Sequence, residues 1–250
     1  MAKPASRKPS ETLGLIRFST YVEARALELG KGQRGERSRL KLMAAGARLL
    51  EATGYQELKI EDVCLEAGLA KGTFYIYFKS KDEFLVGLAT DYFAFETNTL
   101  PRPARDLTRF GLTRLWIGWY ERTFAANAGI LRCVVQMGTT SIEMRQLWLE
   151  RNGRLVDAIM TETMRGVDLD AKARAELFWS LRTIGGMLDQ SLFDRYGLQT
   201  PSGLEDPGDV DLLIEMHSVL AYRALYGSEP PQAEVLLAGR LGQLAARLRP

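Results

Sequence analysis

Histidine and cysteine are scarce in this chain of 250 residues, which holds one histidine and two cysteines. Cys64 and Cys133 are too far apart in sequence for a zinc-type cluster and too few for a disulfide framework, so we expect reduced thiols. His217 stands beside apolar residues, which favours a core or interface role over a ligand contact. With one imidazole, a hydrolase triad is not expected. No phosphate-binding loop, dinucleotide fingerprint or metal-ligand spacing occurs, so we expect no catalytic residue, no metal, no cofactor and no enzyme.

Long apolar runs are also missing. No stretch approaches the roughly 18 apolar residues that a membrane span requires. The N-terminal sequence MAKPASRKPSETLG is polar and basic, and it lacks the apolar segment and small-residue cleavage site of a secretory signal. We therefore expect a cytoplasmic protein that does not cross a membrane.

The net charge is low, at +2, but its distribution along the chain is uneven. Residues 1–81 hold 15 lysines and arginines against 9 acidic residues, whereas residues 82–250 hold 18 against 22. Basic side chains are densest in KGQRGERSRLK, from Lys31 to Lys41. A basic cluster of this kind attracts the phosphates of nucleic acid, so the N-terminal third is the expected site of DNA contact.

Apolar residues recur at helical spacing through nearly the whole chain, without the alternation or hairpin turns of strands. The sequence therefore predicts an all-α fold. Two short helices at 60–67 and 71–77 meet near Gly68 and outline a helix-turn-helix motif. The segment PRPAR at 101–105 interrupts the helical pattern and marks a domain boundary. The other predicted helices span 11–29, 37–53, 81–95, 106–126, 129–137, 140–165, 171–195, 208–226 and 231–248.

The segment around the second short helix resembles a known signature. The sequence at 67–85, AGLAKGTFYIYFKSKDEFL, resembles the TetR-family pattern A-G-V-S-x-G-T-x-Y-x-Y-F-x-x-K-x-x-L. Gly54-Tyr55 belongs to the same resemblance, which extends over residues 39–85. It implies a transcription regulator that binds DNA. The resemblance implies three domains. Residues 1–36 are an N-terminal extension with one extra helix, and residues 37–85 are a helix-turn-helix DNA-binding domain whose linking helix continues to 98. Residues 99–250 are a C-terminal antiparallel helical bundle for ligand binding and dimerisation.

The helix at 71–77 is expected to turn one face to the protein and the other to DNA. Phe74 and Phe78 are four residues apart, so they share a face and can pack on the preceding helices. Thr73, the hydroxyls of Tyr75 and Tyr77, and Lys81 suit phosphate oxygens, whereas base readout is expected from Lys71, Gly72, Thr73 and Ile76. The residues predicted to contact DNA are Lys59, Lys71, Gly72, Thr73, Tyr75, Ile76, Tyr77 and Lys81, together with Arg37 and Arg39 from the basic cluster.

Two positions depart from the family pattern. Lys59 stands where a threonine usually caps the first helix of the motif, and Ala70 stands where a serine often caps the second. A hydroxyl cap contributes about 1 kcal/mol to helix stability and can also reach a phosphate. Neither residue can carry out that capping role, although the Lys59 ammonium can contact a phosphate directly.

Aromatic and methionine side chains are concentrated on three helices of the C-terminal part. The resemblance implies that a small, largely apolar effector binds there. The alternative is an ordinary apolar core, because aromatic residues at helical spacing also build cores. The candidate pocket residues are Trp116, Trp119, Tyr120, Phe124, Met144, Trp148, Phe178 and Trp179.

A dimer interface is implied for the helices at 171–195 and 208–226. Gly185-Gly186, inside the first of them, costs about 1 kcal/mol per glycine relative to alanine, which close approach of another helix would offset. The candidate interface residues are Leu181, Gly185, Leu188, Leu192, Leu213, Met216 and Leu220.

The N-terminal extension has two interpretations. Its helix can dock on the DNA-binding domain or on a dimer partner while basic residues reach DNA, or it can be a packing helix behind a solvated tail. The basic residues considered for DNA contact are Lys3, Arg7, Lys8, Arg34 and Arg37.

Two hypotheses of function follow. The first is a dimeric repressor that binds double-stranded operator DNA and is released by a small, largely apolar effector. The rival is a helical small-molecule binding protein whose DNA-binding element is vestigial. Sequence-preferring DNA binding discriminates between the two.

Overall fold

The structure is a computed structural model that describes residues 17–30, 32–198 and 210–235. All regular elements in these ranges are helical, so the predicted all-α fold is confirmed. The α-helices are α1 (Phe18–Glu28), α2 (Arg34–Ala52), α3 (Ile60–Ala67), α4 (Lys71–Tyr77), α5 (Lys81–Asn98), α6 (Arg109–Ala126), α7 (Ala128–Gly138), α8 (Ile142–Thr163), α9 (Ala171–Leu192) and α10 (Val210–Tyr226).

Helix ends agree with the sequence expectations to within a few residues in the described ranges. A π-helical turn, Phe193–Gly197, continues α9, and a 3-10 turn, Gln232–Glu234, follows α10. Most of the helix expected at 231–248 lies outside the described residues, as do residues 11–16 of the first expected helix. Within the described part of the chain, no helix is both long enough and apolar enough to cross a membrane.

The chain forms two compact units. In the described residues, the first unit contains the chain from 17 to 99 together with Arg122–Arg151 and Tyr196–Leu198, and the second contains Leu100–Glu121, Asn152–Arg195 and the chain from 210 to 235. Helices α6 and α8 therefore contribute to both units. This division differs from the single boundary near residue 99 that the proline-rich segment suggested.

Helix α7 belongs to the first unit because it packs directly on the end of α2. A Cβ atom at Gly129 would lie 2.3 Å from the carbonyl oxygen of Leu50, so only glycine permits this approach. The guanidinium of Arg132 donates to the carbonyl oxygens of Leu50 and Thr53, at 2.6 and 3.1 Å. These carbonyls end α2 and have no partner within that helix.

The extra helix α1 is part of the first unit. Phe18 is 1% exposed, and its ring packs edge-on against Tyr92 and Phe95 of α5. The backbone N–H of Phe18 donates to the side chain of Asn127 at 2.8 Å. Docking of this helix on the rest of the first unit is thus observed, whereas Lys3, Arg7 and Lys8 lie outside the described residues.

The second unit has an apolar core built by helices α6, α8, α9 and α10. Three clusters of buried side chains fill it: Ile117, Ile184, Leu188, Ile214 and Ala221; Phe110, Val219 and Tyr222; and Val156, Met160 and Leu181. The inward stripe of α9, Leu181, Ile184, Leu188 and Leu192, has the spacing of one helix face.

Candidate nucleic-acid interface

Helices α3 and α4 form the predicted helix-turn-helix. Gly68 ends α3 with φ of 65°, the left-handed conformation that glycine adopts at no steric cost, and its N–H donates to the carbonyl oxygen of Leu65 at 3.0 Å. The N-cap residues of α3 and α4 are Lys59 and Ala70, and neither side chain makes a capping hydrogen bond. The sequence predicted that neither helix has a hydroxyl cap, and the structure confirms that prediction.

The inner face of α4 is fixed by three phenylalanine rings. Phe74, Phe78 and Phe84 are 0%, 5% and 1% exposed, and their ring centroids lie 5.1 to 5.5 Å apart. Gly46 of α2 makes room for this cluster, since a Cβ atom there would lie 2.4 Å from Phe84. A seven-residue helix is unstable alone, so this packing holds α4 in place.

The outer face of α4 presents the residues predicted to contact DNA. Tyr75 and Ile76 are 49% and 74% exposed. A Cβ atom at Gly72 would meet open space, so the backbone is accessible there. The remaining residues of the set divide by exposure: Lys59 and Lys71 are exposed, whereas Thr73 and Tyr77 are half-buried.

Lys71 has a partner on the preceding helix. Its ammonium pairs with the carboxylate of Glu61, and this hydrogen bond raises the pKa of Lys71 and lowers that of Glu61. Lys71 thus remains a cation, and it must exchange Glu61 for a phosphate when it contacts DNA.

Lys81 is tied to the loop that precedes α3. Its Nζ atom donates to the carbonyl oxygens of Tyr55 and Gln56, at 3.0 and 3.3 Å, and lies 4.8 Å from the centre of the Tyr55 ring. The Tyr55 hydroxyl donates to Asp82, and that hydrogen bond raises the pKa of Tyr55. Lys81 therefore fixes the start of α5, a role that the sequence analysis did not foresee.

A capping box also begins α5. Ser80 accepts a hydrogen bond from the backbone N–H of Glu83 at 3.1 Å, and the Glu83 carboxylate accepts one from the N–H of Lys79 at 2.8 Å. The spacing Ser80-x-x-Glu83 is the sequence signal for this motif, and it was overlooked.

Arg37 and Arg39 have partners inside the first unit. Arg37 donates to the carbonyl oxygens of Ala26 and Gly30, each at 3.2 Å, and to that of Leu29, so it closes the C-terminal end of α1. Arg39 pairs with Asp91 of α5 at 2.9 Å. In this structure both arginines hold helices together, and their contact with DNA stays a prediction.

The candidate effector residues are divided between the two units. Trp116, Trp119, Tyr120, Phe178 and Trp179 belong to the second unit, whereas Phe124, Met144 and Trp148 belong to the first. Trp179 is 66% exposed. Neither unit by itself contains the whole predicted pocket, because α6 and α8 pass from one unit to the other.

A cleft in the second unit has Trp116 in its wall. Its volume is about 460 Å³, and its other lining residues are Pro101, Arg102, Pro103, Ala158, Thr161, Glu162 and Arg165, so charged side chains form part of its wall. Trp116 is 7% exposed, and its indole N–H has no hydrogen-bond partner among the described residues.

Most of the predicted dimer residues are covered within the same protomer. Leu181, Leu188, Leu192 and Leu213 are all less than 9% exposed, because they form the inward stripes of α9 and α10. The outward face of α9 carries Trp179 and Met187, at 66% and 44%, and Leu220 of α10 is 46% exposed. Gly185 and Met216 are half-buried. The apolar residues available to a partner are thus largely different from those predicted, since helix periodicity alone did not distinguish the two faces.

Comparison with known proteins shows which family this helix-turn-helix segment resembles. The family description "Bacterial regulatory proteins, tetR family" matches residues 42–88, which include α3, α4 and the start of α5. The helix-turn-helix segment of this chain is thus similar to that of TetR-family proteins.

Relatives of this protein include the HTH-type transcriptional regulator EthR of Mycobacterium tuberculosis, 27% identical over 137 residues, or 52% of this chain. The chain spans 63% of the length of that relative. The transcriptional regulator AcuR of Cereibacter sphaeroides is 26% identical over 152 residues, or 55% of this chain and 69% of AcuR.

Solved structures share the fold. A TetR-family transcriptional regulator from Streptomyces coelicolor has a TM-score of 0.64 and 14% identity, covering 85% of this chain and 97% of that one. The fatty acid degradation regulator FadR from Bacillus halodurans has a TM-score of 0.57 and 17% identity, covering 77% and 96%. At this identity the likeness concerns the fold alone.

Proposed function

We propose that this protein is a DNA-binding transcription regulator of the TetR family that acts as a homodimer on a double-stranded operator. The observation that carries the proposal is the two-sided character of α4: Phe74 is fully buried, whereas Ile76 is 74% exposed. Ile76 has no role in the core, and its side chain suits apolar contact with thymine methyl groups in the major groove.

The residues around Ile76 supply contacts with backbone phosphates rather than with bases. Lys71 and Tyr75 on α4, and Lys59 at the start of α3, offer an ammonium, a hydroxyl and a second ammonium to backbone phosphates. Such contacts fix the position of a reading helix and carry no sequence information directly. Base preference therefore falls to Gly72, Thr73 and Ile76.

Dimerisation is proposed through the second unit. Trp179 and Met187 of α9 and Leu220 of α10 expose apolar surface, and Gly186 offers open space beside Met187. A symmetric dimer places two copies of α4 in successive major grooves, about 34 Å apart. Binding of a small molecule in the second unit would lower DNA affinity through coupling between the two sites, which makes the regulator a repressor released by its effector.

The test is binding to labelled duplex from the intergenic region upstream of the gene, measured by fluorescence anisotropy against unrelated duplex. We expect a clear preference for the upstream sequence. Ile76→Ala should reduce that preference by roughly 5- to 100-fold, as loss of a good base contact does. Leu149→Ala is the matched control, because Leu149 is an exposed aliphatic residue, at 55%, on α8. Equal binding of both duplexes by the unmodified protein would favour the rival class, a small-molecule binding protein.

A further inference from the structure

Two adjacent clefts open in the second unit, beside the segment that joins α5 to α6. The larger, of about 460 Å³, is the cleft that Trp116 borders, and the smaller has a volume of about 170 Å³. Both have Pro103, Glu162 and Arg165 in their walls, so they meet at these residues. Every lining residue of both clefts belongs to the second unit. The volume of the larger cleft is within the range of small-molecule sites.

The charged residues in the walls of the two clefts are nearly all arginines. They give four positive charges and one negative charge, a net +3, from Arg102, Arg105, Arg109, Arg165 and Glu162. Residues 82–250 as a whole hold 18 basic residues against 22 acidic ones, so this is a local excess of positive charge in an acidic part of the chain. A concave surface of one charge sign raises the local concentration of oppositely charged ions. The clefts therefore attract anions.

Three of these arginines have hydrogen-bond donors left for a ligand. Arg102 and Arg105 are exposed, and within the described ranges neither side chain takes part in an ion pair or a hydrogen bond. Arg165 pairs with Glu162 through its Nη2 atom, and a guanidinium has five N–H donors. An anionic ligand can therefore bind Arg165 while the pair with Glu162 is kept.

The larger cleft also has an apolar wall. Its members are Trp116, Pro101, Pro103 and Ala158. Pro101 and Pro103 flank Arg102 in the sequence, and a proline ring fixes its backbone φ at about −65°, so the chain on both sides of Arg102 is stiff. Guanidinium groups beside an apolar surface suit a ligand that combines a carboxylate or phosphate, which a guanidinium binds with two parallel hydrogen bonds, and an apolar body.

We propose that the larger cleft binds an amphipathic organic anion, with its apolar body against Trp116 and its anionic group on Arg102 and Arg165. The inference rests on the proposed function for the role of this ligand as effector, and it adds an anionic group to the largely apolar frame. The arginines of the smaller cleft strengthen the attraction from a greater distance. Glu162 competes with the ligand for Arg165, so its carboxylate weakens binding.

The probes are 2-naphthoate, 2-naphthyl phosphate, 2-naphthylmethanol and 2-naphthylmethylamine, which share one ring system and differ in charge. Binding to the full-length protein without DNA is measured by calorimetry at low ionic strength. We expect an anion to bind at least about tenfold more tightly than the amine, because two arginines attract the anion and repel the ammonium. The tighter of the two anions identifies the anionic group. Equal or tighter binding of the amine, or no binding of either anion, would overturn the proposal.

Two substitutions with opposite expected effects test the charged wall. Arg165→Gln removes a cation from the site, so it should weaken binding of the anion by about threefold to fivefold, as should Arg102→Gln. Glu162→Gln removes the competing carboxylate, so it should tighten binding. Arg174→Gln is the matched control, because Arg174 is an exposed arginine on α9 that lines neither cleft. Weaker binding in Glu162→Gln, or equal effects of Arg165→Gln and Arg174→Gln, would contradict the proposal.

A bulky side chain tests whether the apolar body occupies the larger cleft. Thr161→Trp introduces an indole from an exposed lining position on α8, so it should abolish binding of the anion. Thr90→Trp on α5 is the control: Thr90 is also exposed, and both threonine hydroxyls donate to the carbonyl oxygen four residues earlier, at 2.8 Å. Unchanged binding in Thr161→Trp would place the ligand elsewhere and overturn the proposal.

DNA binding is measured separately on the unmodified protein. A protein that prefers its upstream duplex but binds neither anion overturns this inference and leaves the proposed function intact. A protein that binds the anion in this cleft but shows no DNA preference overturns the proposed function and leaves the assignment of the cleft intact.

Discussion

Two buried glutamates, Glu96 in the first unit and Glu121 in the second, differ in how completely their carboxylates are paired. In the first unit, Glu96 of α5 receives the Arg151 guanidinium on both carboxylate oxygens, each at 2.7 Å, and the Tyr92 hydroxyl at 3.0 Å. In the second unit, Glu121 has His217 on one oxygen and no partner on the other among the described residues. A fully paired buried charge suits a rigid support, whereas a half-paired one leaves a buried acceptor unsatisfied.

Removing Arg151, the partner of Glu96, should leave a buried carboxylate unpaired in the first unit as well. We expect this substitution to cause the largest loss of stability. Arg151→Met leaves a buried carboxylate without a cation, so we expect a loss of roughly 3–5 kcal/mol in the free energy of unfolding, measured with urea. Lys172→Met, at an exposed lysine of α9, should change it by less than about 0.5 kcal/mol. Combining Arg151→Met with Glu96→Leu should recover much of the loss. A small effect of the single substitution would show that water reaches Glu96.

Close packing of the first unit can be tested at a glycine. Gly129→Ala places a Cβ atom 2.3 Å from the Leu50 carbonyl oxygen, so we expect a loss of about 1–3 kcal/mol in thermal or urea unfolding. Gly153→Ala is the control in α8, where a Cβ atom would meet open space, and it should stabilise by up to about 1 kcal/mol. Equal effects of the two substitutions would contradict the close approach of α7 to α2.

Substitution of two lysines near α4 distinguishes a residue that stabilises the fold from one that only contacts DNA. Lys81→Ala removes a donor from the Tyr55 and Gln56 carbonyl oxygens, so it should lower the unfolding free energy by about 1 kcal/mol as well as weaken DNA binding. Lys71→Ala should leave stability unchanged but reduce the slope of log affinity against log salt by about 1. A salt slope unchanged in Lys71→Ala would remove that residue from the phosphate contacts. Lys172→Ala on α9 is the control for loss of an exposed charge.

The last expected effect concerns a buried thiol and is absent at neutral pH. Burial raises the pKa of Cys133 to about 12, whereas a thiol in the unfolded chain ionises near 8.5. Above that pH the unfolded state gains a charge that the folded state does not, so stability is complete at neutral pH and decreases as the pH rises toward 12, by up to about 1.4 kcal/mol per unit. Cys133→Ala should flatten this part of the pH profile of urea unfolding. An identical decline in the variant would assign it to other groups.

Local features of the sequence predicted much of the fold. The bounds of α3 and α4 were predicted to the residue, because apolar spacing, Gly68 and the short connection act over a few neighbouring residues. The inward faces of Phe74 and Phe78 followed from their spacing of four. The DNA-contact set as a whole stays a prediction, although the exposure of Tyr75 and Ile76 agrees with it.

Contacts between distant parts of the chain could not be predicted in the same way. Arg37 was assigned to DNA from its basic neighbours, but the return of α1 brings the carbonyls of Ala26 and Gly30 to its guanidinium. Leu181 and Leu188 were assigned to a dimer surface, whereas α8 packs against Leu181, and α6 and α10 pack against Leu188, so both are in the core.

The amino-acid sequence alone thus determined the helices, the helix-turn-helix and its resemblance to the TetR family, since these depend on periodicity and a continuous motif. Only the tertiary structure decided the partners of the buried charges. Glu121, Ser191 and His217 are separated by 96 residues from first to last, so no local pattern indicates that they meet. Their contact arises because burying three apolar helix faces in one core also brings these polar groups together.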